Sequence, residues 1–125
     1  MFKNNIYIKM YKNKITARNV DFGVEVTELA NPSFTTQRLL VGDFTAAEFA
    51  IKSLLKKVTP AGWFTISPKI LIHAMEMTEG GLSQIEERAL CEVAKVAGAR
   101  MVKVCTGAPL SDEAVLQLLT KAKPK

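Results

Sequence analysis

The chain has 125 residues, 48% of them hydrophobic, and a formal net charge of +5. That size suits one domain with an ordinary apolar core, so it needs no disulfide framework or structural metal, and its two cysteines, Cys91 and Cys105, follow no metal-ligand spacing. The opening residues lack the apolar run of a secretory signal and no segment approaches the roughly twenty apolar residues of a membrane span, so we expect a cytoplasmic domain over 1–120 with a basic tail, 121–125.

Residues 5–11 and 14–20 are two β-rich runs around Lys12-Asn13, where asparagine tolerates the positive φ of a tight hairpin turn. Phe22-Gly23-Val24-Glu25-Val26-Thr27 alternates apolar with small or polar residues and extends the meander, predicting a three-stranded antiparallel opening. A period of two puts Ile6, Ile8 and Met10 on one face of the first strand. Tyr7, Lys9 and Tyr11 fall on the other, facing outward or toward a partner.

A loop rich in turn residues, Asn31-Pro32-Ser33-Phe34-Thr35-Thr36, leads to the first helix. Thr45 and Glu48 have the spacing of a capping box, and Phe44, Ala47, Ile51, Leu54, Leu55 and Val58 recur at helical intervals up to about residue 57. Pro60 and Gly62 end that helix, and the fully apolar Ile70-Leu71-Ile72 reads as a buried central strand. Ser83 and Glu86 form a second capping box, followed by an apolar stripe of Ile85, Ala89, Leu90, Val93, Ala94 and Ala97, with Gly98 where a helix ends in the left-handed conformation. Residues 101–105 form the last strand. The final helix starts at Ser111, carries Asp112 and Glu113 in its first turn, and buries Val115, Leu118 and Leu119. The predicted order is β-β-β-α-β-α-β-α, an α/β fold built on a mixed five-stranded sheet with about three helices.

Two places invite a functional reading. The first follows the central strand, at the carboxyl end where α/β folds bind ligands. Gly80-Gly81 before a helix N-terminus would suit an anion, yet Glu76, Glu79, Glu86 and Glu87 crowd the same turn and repel phosphate. Ser83 and Glu86 already satisfy the first amides of the helix, so Glu86 reads as a cap rather than a catalyst. Met75 and Met77 beside the turn are adaptable apolar contacts or part of the core. The second place is the hairpin. Lys3, Lys9, Lys12, Lys14 and Arg18 all precede the first acid, and Lys121, Lys123 and Lys125 close the chain. Tyr7, Lys9, Tyr11, Lys14 and Arg18 make a basic, aromatic face open to two readings, nucleic-acid contact or protein contact. No nucleic-acid motif accompanies it.

His73 is the sole histidine. A dyad with Cys105 or Cys91 would need the base within hydrogen-bond reach of the thiol and a third group to orient it, and nothing in the spacing provides this. No histidine pair or Asp-rich loop points to a metal, and no cofactor is expected.

The chain resembles the YjaA family of small bacterial proteins through Gln37-Arg38-Leu39-Leu40, Glu76-Met77, Glu79-Gly80-Gly81-Leu82-Ser83-Gln84, Glu86-Glu87-Arg88, Leu110-Ser111-Asp112 and Ala114-Val115. That resemblance implies a stress-response label without an established biochemical activity. A more distant likeness is to the first subdomain of the actin-like rod-shape protein MreB, through Asp43-Phe44, Glu48, Ser67-Pro68-Lys69-Ile70-Leu71-Ile72, Ser83-Gln84-Ile85-Glu86-Glu87-Arg88-Ala89 and Ala97-Gly98-Ala99-Arg100. It implies one ribonuclease-H-like half-domain, with Glu86 at the position placed near the attacking water in that family. The family's Asp-x-Gly phosphate loop is replaced here by Met10-Tyr11-Lys12-Asn13-Lys14, which has neither the aspartate nor the glycine, and the second subdomain has no counterpart. The expectation is a non-enzymatic protein-interaction domain, self-associating and without a working ATP site. Candidate contacts are Tyr7, Lys9, Tyr11, Lys14, Arg18, Glu76, Glu79, Gly80, Gly81 and Glu86. The competing readings are a residual nucleotide or phosphate binder and a nucleic-acid binder using the hairpin.

Overall fold

The computed structural model describes residues 4–31, 33–36, 39–60 and 67–121. Lys3, Pro32, Gln37, Arg38, Gly62, Lys123 and Lys125, on which some of the expectations above fall, lie outside the described residues. The elements follow the expected order: β1 (Asn5–Tyr11), β2 (Lys14–Asn19), β3 (Val24–Leu29), α1 (Phe44–Val58), β4 (Lys69–Ala74), α2 (Gln84–Val96), β5 (Met101–Cys105) and α3 (Asp112–Lys121). They build one five-stranded sheet in the order β3-β2-β1-β4-β5. β2 runs antiparallel to both β1 and β3, while β4 pairs parallel with both β1 and β5.

Each face of the sheet has its own core. Ile6, Ile8 and Met10 of β1, Ile15 and Ala17 of β2, and Ile70 and Ile72 of β4 point to one side, where Ile51 and Leu54 of α1 and Leu90 and Val93 of α2 cover them. On the other side Val115 and Leu119 of α3 close over Tyr7, Leu71 and Met101. The central strand β4 is buried on both faces, as its continuous apolar run requires.

The structure departs from the sequence-based expectation in four places. Tyr7 does not face outward: it is 3% exposed, because α3 packs onto its side of β1. Thr45 and Glu48 do not cap α1. Phe34 carbonyl accepts from the Gly42 and Asp43 amides, which sets the chain so that Asp43 becomes the N-cap, its Oδ1 accepting from Ala46 N at 3.0 Å. Phe44 then falls in the first turn, largely outside the core, and Glu48 pairs with Lys52 at 2.8 Å. Ile85 leaves the α2 stripe and is 80% exposed; lying five residues before Leu90, it is rotated roughly 140° from it at 3.6 residues per turn. β3 starts at Val24 rather than Phe22, because the Asn19 side chain accepts from the Asp21 and Phe22 amides and Gly23, at φ +72, completes a turn there.

Candidate functional site

At the carboxyl end of β4 the chain turns through Met77, Gly80 and Gly81, with φ of 58, 76 and 85°, before entering α2. The capping box is formed: Ser83 Oγ accepts from Glu86 N at 3.1 Å and Glu86 Oε1 accepts from Ser83 N at 3.1 Å. Glu86 therefore spends its carboxylate on its own helix. Glu79, Gly80 and Gly81 sit exposed at the tip of the turn, whereas Met77 packs against the larger core.

Glu76 does something the sequence did not reveal. Its Oε2 accepts a 2.6 Å bond from Lys12 N, in the turn between β1 and β2. The neighbouring Asn13 has φ 51, as the hairpin requires, and its amide donates to Thr35 Oγ1 at 2.9 Å. Asn13 Oδ1 accepts in turn from the amides of Phe34 and Thr35 at 2.9 and 2.7 Å. The hairpin-turn amides of Lys12 and Asn13, the groups a phosphate would use, are thus bonded to the chain's own carboxylate and hydroxyl.

The basic face is largely neutralised in place. Cross-strand pairing sets Tyr7 beside Arg18, Tyr11 beside Lys14 and Arg18 beside Glu25. Arg18 grips Asp112 of α3 with both arms of its fork, Nε to Oδ1 at 2.9 Å and Nη2 to Oδ2 at 3.0 Å, which holds the Asp112 carboxyl below its usual range. Glu25 lies 3.9 Å from Lys9 and 4.0 Å from Arg18. Lys14 sits over the Tyr11 ring at 4.4 Å, a cation–π contact.

His73 and Tyr7 form a connected polar group in the interior on the α3 face. His73 is fully buried; its Nε2 lies 2.8 Å from Gly107 O and its Nδ1 2.6 Å from Tyr7 Oη. A carbonyl only accepts, so Nε2 carries the proton, and neutral Nδ1 accepts from the Tyr7 hydroxyl. Tyr7 Oη in turn accepts from Leu110 N at 3.1 Å. Burial pushes the imidazole below its ordinary 6.5 and raises the Tyr7 phenol. With both ring nitrogens engaged, His73 has none left for Cys105, its register neighbour on β5, whose thiol burial pushes up to about 11. The arrangement ties the loop before α3 to the sheet. Period two and the parallel pairing of β1 with β4 place Tyr7 and His73 on one face, which is the signal that could have found them.

Leu39, Val41, Leu82 and Ile85 line a shallow apolar groove with Glu86 at its side. Among the described residues no cluster of three histidine, cysteine or acidic side chains could hold a metal ion, and no helix is long and apolar enough to cross a membrane.

Compared with known proteins, the chain is 38% identical to the uncharacterized protein YjaA of Escherichia coli (strain K12), over 91% of this chain and 95% of that protein. The chain belongs to the YjaA family. No protein-family model matches it. Among solved structures it is similar to MreB5 of Spiroplasma citri, crystallised bound to ADP, with a TM-score of 0.59 and 14% identity, covering 82% of this chain and 37% of that one. At that identity the likeness shows the fold alone. The YjaA-family chain is an actin-like α/β unit that spans little more than a third of its structural neighbour.

Proposed function

We propose that this protein is a cytoplasmic, non-enzymatic interaction domain that self-associates, serves a bacterial stress response, and lacks a working ATP site. The observation that carries this reading is the Glu76–Lys12 bond, which with Thr35 and Asn13 fills the hairpin turn where an actin-like ATPase would receive phosphate. Glu86, the residue placed by resemblance near an attacking water, is held in its capping box, and a carboxylate already beside the turn repels a second anion. Exposed Leu29, Phe49 and Ile85 supply the apolar surface that association would bury.

A residual nucleotide binder is the second reading, favoured by the fold it shares with MreB5. Nucleic-acid contact through the hairpin draws less support, because Arg18 and Lys9 face acids of their own chain. The deciding measurement is light-scattering mass at several concentrations, with and without Mg-ATP. A dimer or larger species indifferent to nucleotide is expected. A mass that changes with Mg-ATP, or a monomer throughout, would overturn the proposal.

A further inference from the structure

Resting on the self-association reading, we infer that the contact between copies is made by the open edge of β3, through antiparallel pairing with β3 of a second copy. β3 is an edge strand, and among the described residues it packs only on β2 and α1. The ladder shows which backbone groups are not bonded to β2. Asn19 to Lys14 of β2 pair with Val24 to Leu29, and one step beyond, Ala30 N donates to Asn13 O at 2.8 Å. In an antiparallel pair, residues that exchange bonds alternate with residues that do not. The even-numbered residues of β3 therefore bond to β2, and Glu25, Thr27 and Leu29 turn their amides and carbonyls to the open edge.

Edge strands are normally guarded by lysine, proline, a bulge or inward charge. β3, Val-Glu-Val-Thr-Glu-Leu, carries no lysine or proline, and its register with β2 is unbroken. Its two acids are engaged within the chain: Glu25 with Lys9 and Arg18, Glu28 with Lys57 and Ser53. Leu29 is 79% exposed. Phe49, 62% exposed, stands one helical turn before Ser53 on the side of α1 that meets β3. The opposite edge, β5, is shorter, carries Lys103 at its centre, and is flanked by α2 on one face and α3 on the other.

The occupant that fits is a second copy. A two-fold axis through Thr27 sets Thr27 against Thr27 and Glu25 against Leu29, so no like charges meet. It also places each Glu25 between its own Arg18 and, beyond Leu29 of the second copy, that copy's Lys14. The Thr16–Thr27 hydroxyl pair, 2.8 Å apart, continues across the axis into the same pair of the second copy, a favourable cross-strand match. Pairs 25/29, 27/27 and 29/25 each exchange two bonds, about six in all.

Thr27→Pro and Leu29→Glu test this by light-scattering mass and thermal unfolding of the full chain. Thr27→Pro removes a backbone donor that faces the open edge and the Thr16–Thr27 hydroxyl contact, while sparing the backbone bonds to β2. Leu29→Glu sets a carboxylate against Glu25 of the second copy, and it decides the question if the proline variant does not fold. The expected result is a wild-type dimer whose mass falls by about half in both variants, with the folding transition retained. Folded variants that keep the wild-type mass would overturn the edge assignment and leave self-association standing. A wild type that is monomeric throughout would overturn both.

Discussion

The two faces of the sheet are held by different physics. Under α1 and α2 the buried apolar cluster is large, from Ile6, Ile8 and Met10 to Leu54 and Leu90, with buried Asn19 bonding the Val58 carbonyl at the end of α1. Under α3 the apolar cluster is small, and it is completed by directional bonds: Tyr7 to His73, His73 to Gly107, Leu110 to Tyr7, and Arg18 to Asp112. The first face depends mainly on area and close packing, which are indifferent to protons and salt, with the Asn19–Val58 bond and the Glu28 contacts to Lys57 and Ser53 beside them. The second depends on tautomer, charge state and geometry. The larger face is therefore the stable base of the molecule, and the α3 side is the part that conditions can loosen.

The largest effect should come from the apolar face. Leu54→Ala removes a fully buried side chain from between α1 and the sheet, and we expect a loss of about 2–5 kcal/mol in denaturant unfolding, with the same loss at pH 5 and pH 8. A loss that changed with pH would mean that the packing of Leu54 is coupled to a titrating contact.

Tyr7→Phe keeps the ring and deletes the hydroxyl, leaving His73 Nδ1 without its donor and Leu110 N without its acceptor. Stranding buried polar groups costs about 1–3 kcal/mol. Hydrogen exchange should locate the damage, with the Leu110 amide losing protection while amides of α1 keep theirs. Equal loss in both regions would show that the two faces unfold as one unit and that their distinction is structural only.

How far the sequence could be read follows from how local each interaction is. The element order was legible because each period is written within its own segment, and the Ser83–Glu86 capping box because its partners stand three residues apart. Tyr7 was misread because β1 alternates apolar and polar residues like a strand with one wet face, and only α3, whose preceding loop is bonded to it 103 residues later, covers the ring. The Glu76–Lys12 bond spans 64 residues and joins two turns, with no pattern in either to announce it. Ile85 was assigned to the core because it is apolar in an amphipathic helix, although its angular position relative to Leu90 already placed it outside the stripe.

A smaller effect separates the faces by pH. Burial holds the folded-state pKa of His73 below its ordinary 6.5, with Lys9 on the adjoining strand acting in the same direction. Between the two values the unfolded chain binds a proton that the folded chain does not, so stability rises with pH there. The contribution is complete above about pH 6.5 and is lost as pH falls toward the folded value. Unfolding free energies from pH 4 to 8 should therefore slope downward toward acid in the wild type and more gently in His73→Gln, whose side chain does not titrate. Identical slopes would show that folding leaves the proton affinity of His73 unchanged, so that burial does not hold its pKa down.

The smallest effect should be Asp112→Ala. The Arg18–Asp112 contact is bidentate, the geometry that makes the strongest ion pairs, yet its side chains remain 33% and 42% exposed. Water and counterions screen such a pair, and exposed pairs contribute about 0.2–1 kcal/mol. We expect a loss within that range at low salt that shrinks at high salt, with Leu110 amide protection little changed. The pair then orients the first turn of α3, while the Tyr7–His73 bonds and the Val115–Leu119 contact hold the helix down. A larger loss that survived high salt would reverse that ranking: the fork of Arg18 would be the main fastening of α3, and the α3 face would be held chiefly by charge rather than by its buried hydrogen bonds.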